Sequence, residues 1–388
     1  MNKNRILALL DSADIYGKER ANIEVYHVLQ QNGFDIHVGY SKYAVAAMKN
    51  ELTCFPNKSF PFPRNISGKM RSLKYVINFI RINFVLSWHV HKLNPDFILL
   101  PTEWALFYLY ITLLLTKAKV VFRCGDDPLT YRKRGKAATK VYAYIWKHYV
   151  LPRVDILVCN AKYIQKRMKD SGRVDKGYDK LIYNYPPLRL DYFHENETTY
   201  LPMGNGLRVG FIGRIVPEKG VLELIEALGK IKQMGKEITL YIAGDESVNP
   251  KYTLQLKGVI NKLNLKDDIV FLGKINRIHT FYQQIDVICI PSIYEEPMAN
   301  VVAESKTYHK PCIIFNQGGM PEIVEHKQTG YICDEVSIDA LSKGLMFYID
   351  NPSEIIREGE AAFNSINCLQ LDKFTFTKKW IDVFQFAK

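Results

Sequence analysis

The chain has 388 residues, too many for one ordinary core and enough for two domains of about 150–200 residues each. Hydrophobic residues at 47% and charged residues at 24% are ordinary globular composition, and seven scattered cysteines without a C-x-x-C pair exclude a disulfide or zinc framework. The net charge of +12 is uneven: residues 1–200 hold 31 Lys/Arg against 17 Asp/Glu, residues 201–388 hold 21 against 23, so the N-terminal half is expected to face something anionic.

The first apolar run stops at Asp11 without a small-residue cleavage site, which predicts a strand over 5–10 in place of a signal peptide. A loop ending at Gly17 leads into a helix with apolar positions at Ile23, Val25, Val28 and Leu29. Gly33-Phe34-Asp35 then turns the chain into a strand over 36–40. Strand, glycine-bearing loop, helix, strand opens a doubly wound α/β domain, whose ligands sit at the carboxyl ends of the strands. Residues 65–93 predict a long helix mixing Met70, Ile77, Ile80 and Phe84 with Lys69, Lys74, Arg81 and Lys92.

The longest apolar run, 104–115, is about half of what a spanning helix needs and predicts a core helix, with no transmembrane segment. Strands are expected at 97–100, 119–123 and 155–159. The loop from Arg123 to Pro128, with Gly125, Asp126 and Asp127, follows a strand directly. Residues 131–153 repeat the basic and aromatic mixture, with Lys140 and Lys147 among Tyr142, Trp146 and Tyr149. Such interleaving suits a helix on an anionic membrane surface, and equally a solvated basic face whose aromatics pack inward. Nucleic acid would want the same charge, but no binding module is recognisable, so no nucleic-acid partner is expected. The polar stretch 191–206 has linker composition.

The second half opens with a strand over 207–212, then Gly213 and Arg214, then Lys219-Gly220 at the start of a helix from Val221. Arg offers a planar fork for phosphate oxygens and Lys a point charge. Strands over 238–243 and 269–272 run into Gly244 and Gly273. A buried parallel strand over 286–290 ends at Pro291-Ser292. Glu296-Pro297 then makes a loop, and a helix starts near Met298 that sets Asn300, Glu304 and Thr307 on one face. Glu296 before the helix and Glu304 inside it can address both ends of a bound polar ligand. Free N–H groups near Ala299 and Asn300 can hold an anion. A strand over 312–315 leads to Gly318-Gly319, where absent side chains would let N–H groups approach a ligand. Pro321-Glu322 then starts another helix. Helices over 337–350, 352–368 and 373–386 close the chain.

Ser292, Glu296-Pro297, Glu304, Pro311, Gly318-Gly319, Pro321-Glu322-Ile323-Val324 and Thr329-Gly330-Tyr331 together resemble the donor-site signature of retaining GT-B glycosyltransferases, family 4. The resemblance extends back to Arg214 and more thinly into the N-terminal half. It implies an α/β GT-B fold, two Rossmann-like doubly wound domains facing each other across a cleft. Residues 1–200 would bind the acceptor, with a hinge or linker near 186–206 beside Asn184 and Tyr185. Residues 201–388 would bind the nucleotide sugar. The last helix would cross back to the first domain on Trp380, Phe384 and Phe386, although core burial expects the same residues.

By the same resemblance, Glu296, Arg214, Lys219 and Asp126 form the catalytic group. Glu304 accepts from the ribose hydroxyls, and Gly213, Ala299, Asn300, Val301, Gly244, Gly273, Gly318 and Gly319 surround the donor. Gly17 and Glu19 fall on the acceptor side. Transfer would be retaining and metal-independent, with the donor phosphate helping to take the acceptor proton. No cofactor is implied beyond the nucleotide diphosphate sugar itself. The acceptor would be a saccharide or polyprenyl-linked saccharide, at a cytoplasmic site peripheral to the inner face of the plasma membrane. Three departures stand out. Glu296-Pro297-Met298-Ala299 replaces Glu-Pro-Phe-Gly, bulky Tyr308-His309-Lys310 follows the second glutamate, and Gly125 stands where a His usually precedes Asp126. The alternatives are a GT-B nucleotide-sugar epimerase, a phosphorylase, or a non-catalytic subunit that binds nucleotide or lipid.

Overall fold

The structure is a computed structural model that describes residues 4–62, 71–126, 136–186, 204–275 and 278–385. Asp127-Pro128, the first turns expected for the helices over 65–93 and 131–153, most of the linker and Phe386 lie outside those residues. The chain divides into two compact units, Met1–Asn184 with Lys373–Lys388, and Tyr185–Asp372.

Among the described residues, the N-terminal unit has seven strands: β1 (Arg5–Leu10), β2 (Asp35–Ser41), β3 (Asn57–Phe60), β4 (Phe97–Leu100), β5 (Lys119–Cys124), β6 (Ile156–Cys159) and β7 (Lys180–Leu181). They pair parallel in the order β3-β2-β1-β4-β5-β6-β7. β4 and β6 are buried along their whole length, as a parallel sheet covered on both faces requires. The connecting helices are α1 (Gly17–Gln31), α2 (Ala46–Glu51), α3 (Arg71–Leu93), α4 (Glu103–Tyr108), α5 (Tyr110–Leu115), α6 (Lys136–Ile145) and α7 (Lys162–Asp170). Strand order reverses direction after β3. Right-handed crossovers therefore put α3, α4, α5 and α6 on the face opposite α1 and α2.

Two expectations are corrected here. The run 104–115 is two helices, α4 and α5, broken at Leu109. The Asn83 side chain of α3 causes the break: its Oδ1 accepts the Thr112 N–H at 2.9 Å, and its Nδ2 donates to the Tyr108 carbonyl at 2.6 Å. That amide therefore intercepts the bond the helix would have made between those two residues. The basic helix ends early as well. α6 stops at Ile145 and passes through a π turn, Trp146–Val150, into a 3-10 turn, Leu151–Arg153. Trp146 is fully buried there, donating to Ser171 Oγ at 3.0 Å.

Among the described residues, the C-terminal unit has six strands: β8 (Leu207–Ile212), β9 (Ile238–Ala243), β10 (Ile269–Gly273), β11 (Val287–Ile290), β12 (Cys312–Phe315) and β13 (Gly330–Cys333). All pair parallel, in the order β10-β9-β8-β11-β12-β13. Its helices are α8 (Val221–Gln233), α9 (Pro250–Lys262), α10 (Ile278–Gln284), α11 (Asn300–Thr307), α12 (Ile338–Asp350) and α13 (Pro352–Cys368). Its core joins Val209, Phe211, Leu240 and Ile242 of the sheet to Leu224, Leu228, Leu341 and Leu345 of the helices. The helix after the strand at 287–290 begins at Asn300 with Ala299 as its cap, two residues later than expected, because Met298 is buried in the preceding loop. Pro321 and Glu322 lie in a short 3-10 turn, Met320–Ile323, and not at the start of a longer helix.

The last helix, α14 (Lys373–Gln385), belongs to the N-terminal unit. Phe384 is fully buried, with ring centroids 5.1 Å from Phe97 and 5.9 Å from Phe34. Its carbonyl accepts from Asn4 Nδ2 at 3.1 Å, and Lys379 Nζ donates to the Leu181 carbonyl at 3.1 Å. Both units reverse strand direction at one point, between β1 and β4 and between β8 and β11. Ligands of such sheets sit outside the carboxyl ends of those strands. Among the described residues no helix is long and apolar enough to cross a membrane.

Phe384→Ala is expected to destabilise the N-terminal unit by about 3 kcal/mol or more, the usual cost of emptying a buried aromatic site. Urea unfolding checks it: an unchanged midpoint would mean that α14 is not part of that unit's core.

Candidate active site

The β8–α8 and β11–α11 loops of the C-terminal unit lie directly against each other, and glycine makes the approach possible. Gly220 sits at φ +69°, where a Cβ would fall 1.8 Å from the Pro291 carbonyl oxygen. The Ile293 N–H donates to the Glu218 carbonyl at 3.0 Å across the same seam. This contact delivers Lys219 to Glu296: Nζ and Oε1 are 2.6 Å apart. Ser292 Oγ donates to the same carboxylate oxygen. The ammonium also lies 5.5 Å from the centroid of the Tyr294 ring.

The loop between β12 and the 3-10 turn at Met320–Ile323 holds Glu296 from the other side. Gln317 Nε2 donates to the Ser292 carbonyl at 2.5 Å and to the Tyr294 carbonyl at 3.3 Å. Gly318, at φ +65°, passes so close that a Cβ would meet the Glu296 carbonyl oxygen at 2.1 Å. The Gly319 N–H donates to that carbonyl at 2.8 Å. The expectation that this N–H stands free for a ligand anion is therefore corrected: it ties the Glu296 loop. Similarly, the Gly213 N–H donates to the Ala243 carbonyl at 3.0 Å and the Gly244 N–H to the Gly273 carbonyl at 2.9 Å. These bonds knit the ends of β8, β9 and β10 and spend the N–H groups of Gly213 and Gly244 on neighbouring strand ends.

Arg214 is exposed in the Lys219 loop. At the start of α11, Ala299 is buried while Asn300 and Val301 are half-buried. Glu304, half-buried, lies one turn further along beside Tyr282, whose hydroxyl is pushed well up by burial and by that carboxylate. Tyr308 stacks on the Tyr282 ring at 4.5 Å, so the bulky residue after the second glutamate serves as a wall for the glutamate's neighbour. His309 pairs through Nδ1 with Glu360 at 2.9 Å and stacks on Phe363, a structural role.

Of the residues expected on the acceptor side, Gly17 opens α1. Glu19 is buried, with its Oε2 accepting the Tyr16 N–H at 3.0 Å, so it caps that helix. Asp126 forms an ion pair with Lys18 at the carboxyl end of the N-terminal sheet. Composition and spacing did not single out Lys18, Glu103, Asp11 or Thr102, yet they complete this cluster. The usable signal was position, since Asp11, Glu103 and Asp126 each follow a strand end within three residues. Thr102 donates to Asp11 at 2.6 Å. Burial by itself would lower Lys18, but Asp126, Glu103 and Asp11 carry it above its ordinary value. Burial pushes Glu103 up to about 7, opposed by Lys18 and assisted by Asp126 and Asp11. Beneath them Arg123 is buried, donating to Asn22 at 2.5 Å and to Asn184 at 2.6 Å, with desolvation bringing it down to about 10.

Residues 200–364 match the family described as Glycosyl transferases group 1. Among curated relatives, an uncharacterized glycosyltransferase of Haemophilus influenzae is 28% identical over 145 residues, covering 36% of this chain and 39% of the relative. The chain thus spans about two fifths of the length of that relative. A 41.2 kDa protein in the cps region of Klebsiella pneumoniae is 24% identical and covers 79% of this chain and 81% of its own. Anabaena Alr3699/HepE, solved in complex with UDP and glucose, superposes with a TM-score of 0.76 at 20% identity, covering 98% of each chain. The fold is GT-B.

Two outcomes follow from this geometry. Gly318→Ala places a Cβ against the Glu296 carbonyl at a left-handed backbone position, and should cost more than about 1 kcal/mol while displacing Glu296. A thermal melt within error of the wild type would contradict the clamp. Glu103 is held above its ordinary 4.5, at about 7, so the folded protein binds its proton more tightly than the unfolded chain. Wild-type stability should therefore fall as pH rises through that interval. Glu103→Gln lacks the titration, so its stability relative to wild type should rise between those pH values and level off above. Parallel denaturation curves that keep a constant difference would remove the assignment.

Proposed function

We propose that this chain, whose C-terminal half matches glycosyl transferases group 1 on a GT-B fold, is a retaining glycosyltransferase. It moves a sugar from a nucleotide diphosphate sugar to a saccharide or lipid-linked saccharide acceptor. The observation that carries the reading is the Lys219–Glu296 pair, locked by Ser292, Gln317 and Gly318 at the switch point of the C-terminal sheet.

Negative charge builds on the leaving diphosphate as the glycosidic bond breaks, so stabilising it is the main catalytic demand. An ammonium has three N–H donors, and Glu296 takes one of those on Lys219, leaving the group able to meet a phosphate oxygen as well. Arg214 in the same loop adds a planar fork, and the N-terminus of α11 at Ala299, Asn300 and Val301 adds backbone dipoles. Glu304 accepts from the ribose hydroxyls. Glu296, fixed in orientation before any ligand arrives, supports positive charge at the anomeric carbon or orients a donor hydroxyl. With cations and dipoles meeting the diphosphate, transfer proceeds without a metal: the bond from the anomeric carbon to the diphosphate breaks, the acceptor oxygen bonds on that same face, and the departing phosphate helps to take the acceptor proton. Asp126, braced by Lys18, belongs to the acceptor side. The Klebsiella relative's place in a cps region supports an acceptor of surface polysaccharide assembly. That acceptor would be met at the inner face of a membrane.

The test is transfer or donor hydrolysis by the full-length chain, in EDTA, across a panel of nucleotide sugars. UDP-sugars come first because the Anabaena protein was solved with UDP. Glu304→Ala and Lys219→Ala should each lower turnover at least about tenfold, with the melting temperature retained. Near-normal turnover in either variant would move the donor site elsewhere. Activity that EDTA abolishes and Mg²⁺ restores would replace the metal-free route, and nucleotide binding without turnover would favour a non-catalytic subunit.

A further inference from the structure

A surface helix ordinarily buries its apolar stripe and shows solvent a polar one. α3 does more. Its buried side carries Ile82, Leu86 and Val90, while Leu73, Val76, Ile77, Ile80, Phe84 and Trp88 are exposed on the outside, Phe84 at 77% and Ile80 at 59%. At 3.6 residues per turn these six fall in one sector of about 120°, along a little over four turns of helix. Exposed Lys74, Arg81 and Lys92 line a single flank of that sector. α5 packs beside α3, where Ser87 Oγ donates to Thr112 at 3.1 Å, and its Leu115 is exposed as well.

Charge says what covers this stripe. No Asp or Glu occurs between Glu51 and Asp96, while Lys58, Lys74, Arg81 and Lys92 do. A second copy docking here by two-fold symmetry would set one acid-free basic helix against another, and the like charges would oppose it. Trp88 is also framed by cations, Lys58 Nζ at 5.3 Å and Lys92 Nζ at 5.6 Å from its ring centroid. An amphipathic ring between two ammonium groups suits the level where headgroup phosphates meet acyl chains.

We propose that α3 is a membrane-docking element, its apolar stripe entering the acyl boundary of an anionic lipid surface while Lys74, Arg81, Lys92 and Lys58 meet the headgroup phosphates. This deepens the lipid-linked acceptor reading but stands on α3 alone, independent of the donor site. It also changes what holds the protein down. Charge alone fades with salt within a Debye length, whereas an inserted stripe keeps part of its affinity.

The experiment is co-sedimentation of the full-length protein with phosphatidylcholine vesicles, with and without phosphatidylglycerol, at low and high salt. Binding to the anionic vesicles is expected, with a fraction surviving high salt and weaker binding, comparable to that fraction, to neutral ones. The exposed substitutions Ile80→Asp and Phe84→Asp together should weaken binding at least about tenfold, or 1.4 kcal/mol. Donor hydrolysis and the thermal melt should stay as in wild type. No binding to anionic vesicles at low salt, or equal binding by the double variant, overturns the proposal. So does a solution dimer that the double variant dissolves, which would give the stripe to a second copy. A wild type without donor turnover that still binds vesicles would remove the glycosyl-transfer reading and leave this one intact.

Discussion

The candidate site depends on a carboxylate kept almost out of water. The Glu296 side chain is 6% exposed and its Lys219 partner 18%. Removing such ions from solvent costs several kcal/mol each, and only close pairing with further hydrogen bonds offsets it. Lys219 and Ser292 supply that pairing to a single oxygen, and the backbone around it is held by Gln317 and Gly319. Either partner alone would leave the charge under-compensated. The arrangement therefore stabilises the fold little for its cost, and its effect is to fix a charged group in one orientation beside the N-terminus of α11. A site organised before its ligand arrives loses less entropy and less solvent reorganisation when it acts.

Glycine is what lets the two loops meet. At Gly220 and Gly318 a Cβ would fall about 2 Å from a carbonyl oxygen, far inside any tolerable contact, and both positions lie in the left-handed region. These residues bring backbone against backbone. The same sheet topology, used again in the N-terminal unit, ends in a different chemistry. There Lys18 is surrounded by Asp126, Glu103 and Asp11, and burial, assisted by Asp126 and Asp11, outweighs Lys18 and pushes Glu103 up to about 7. Arg123 lies below, buried between Asn22 of α1 and Asn184 at the end of the unit, and couples that helix to the chain where it leaves the sheet.

α3 shows how one helix can serve two environments. Its inner side supplies Ile82, Leu86 and Val90 to the core, together with Asn83, whose amide breaks the neighbouring helix at Leu109. α5 then restarts at Tyr110 beside α3 and carries exposed apolar residues of its own, Ile111, Leu114 and Leu115. Basic and apolar residues mixed along 65–93 allow either a solvated face or a membrane face when read in one dimension. Burial separates them into an inner core row, an outer apolar row and a basic flank.

By itself the sequence determined the two-unit α/β architecture and most of its central strands. β4 and β12 are apolar throughout, as a parallel strand buried on both faces requires, and β1, β8 and β9 depart from their apolar runs only at Arg5, Arg208 and Thr239. Among the described residues, three of the four edge strands escaped it, β10 being the exception. β3 reads Asn-Lys-Ser-Phe with three exposed residues, β7 has two residues, and β13 begins at a glycine, so none carries a periodic signal. Arg214, Lys219, Glu296 and Glu304 were legible as residue types at strand and helix ends. Only tertiary structure decided that Lys219 meets Glu296 and that the Gly319 N–H is spent on the Glu296 carbonyl. Each of these is a contact between segments separated along the chain. Such contacts depend on where two loops come to rest, which residue order does not encode locally. Lys18 and Glu103 are separated by 85 positions in one dimension and act on each other's charge in three.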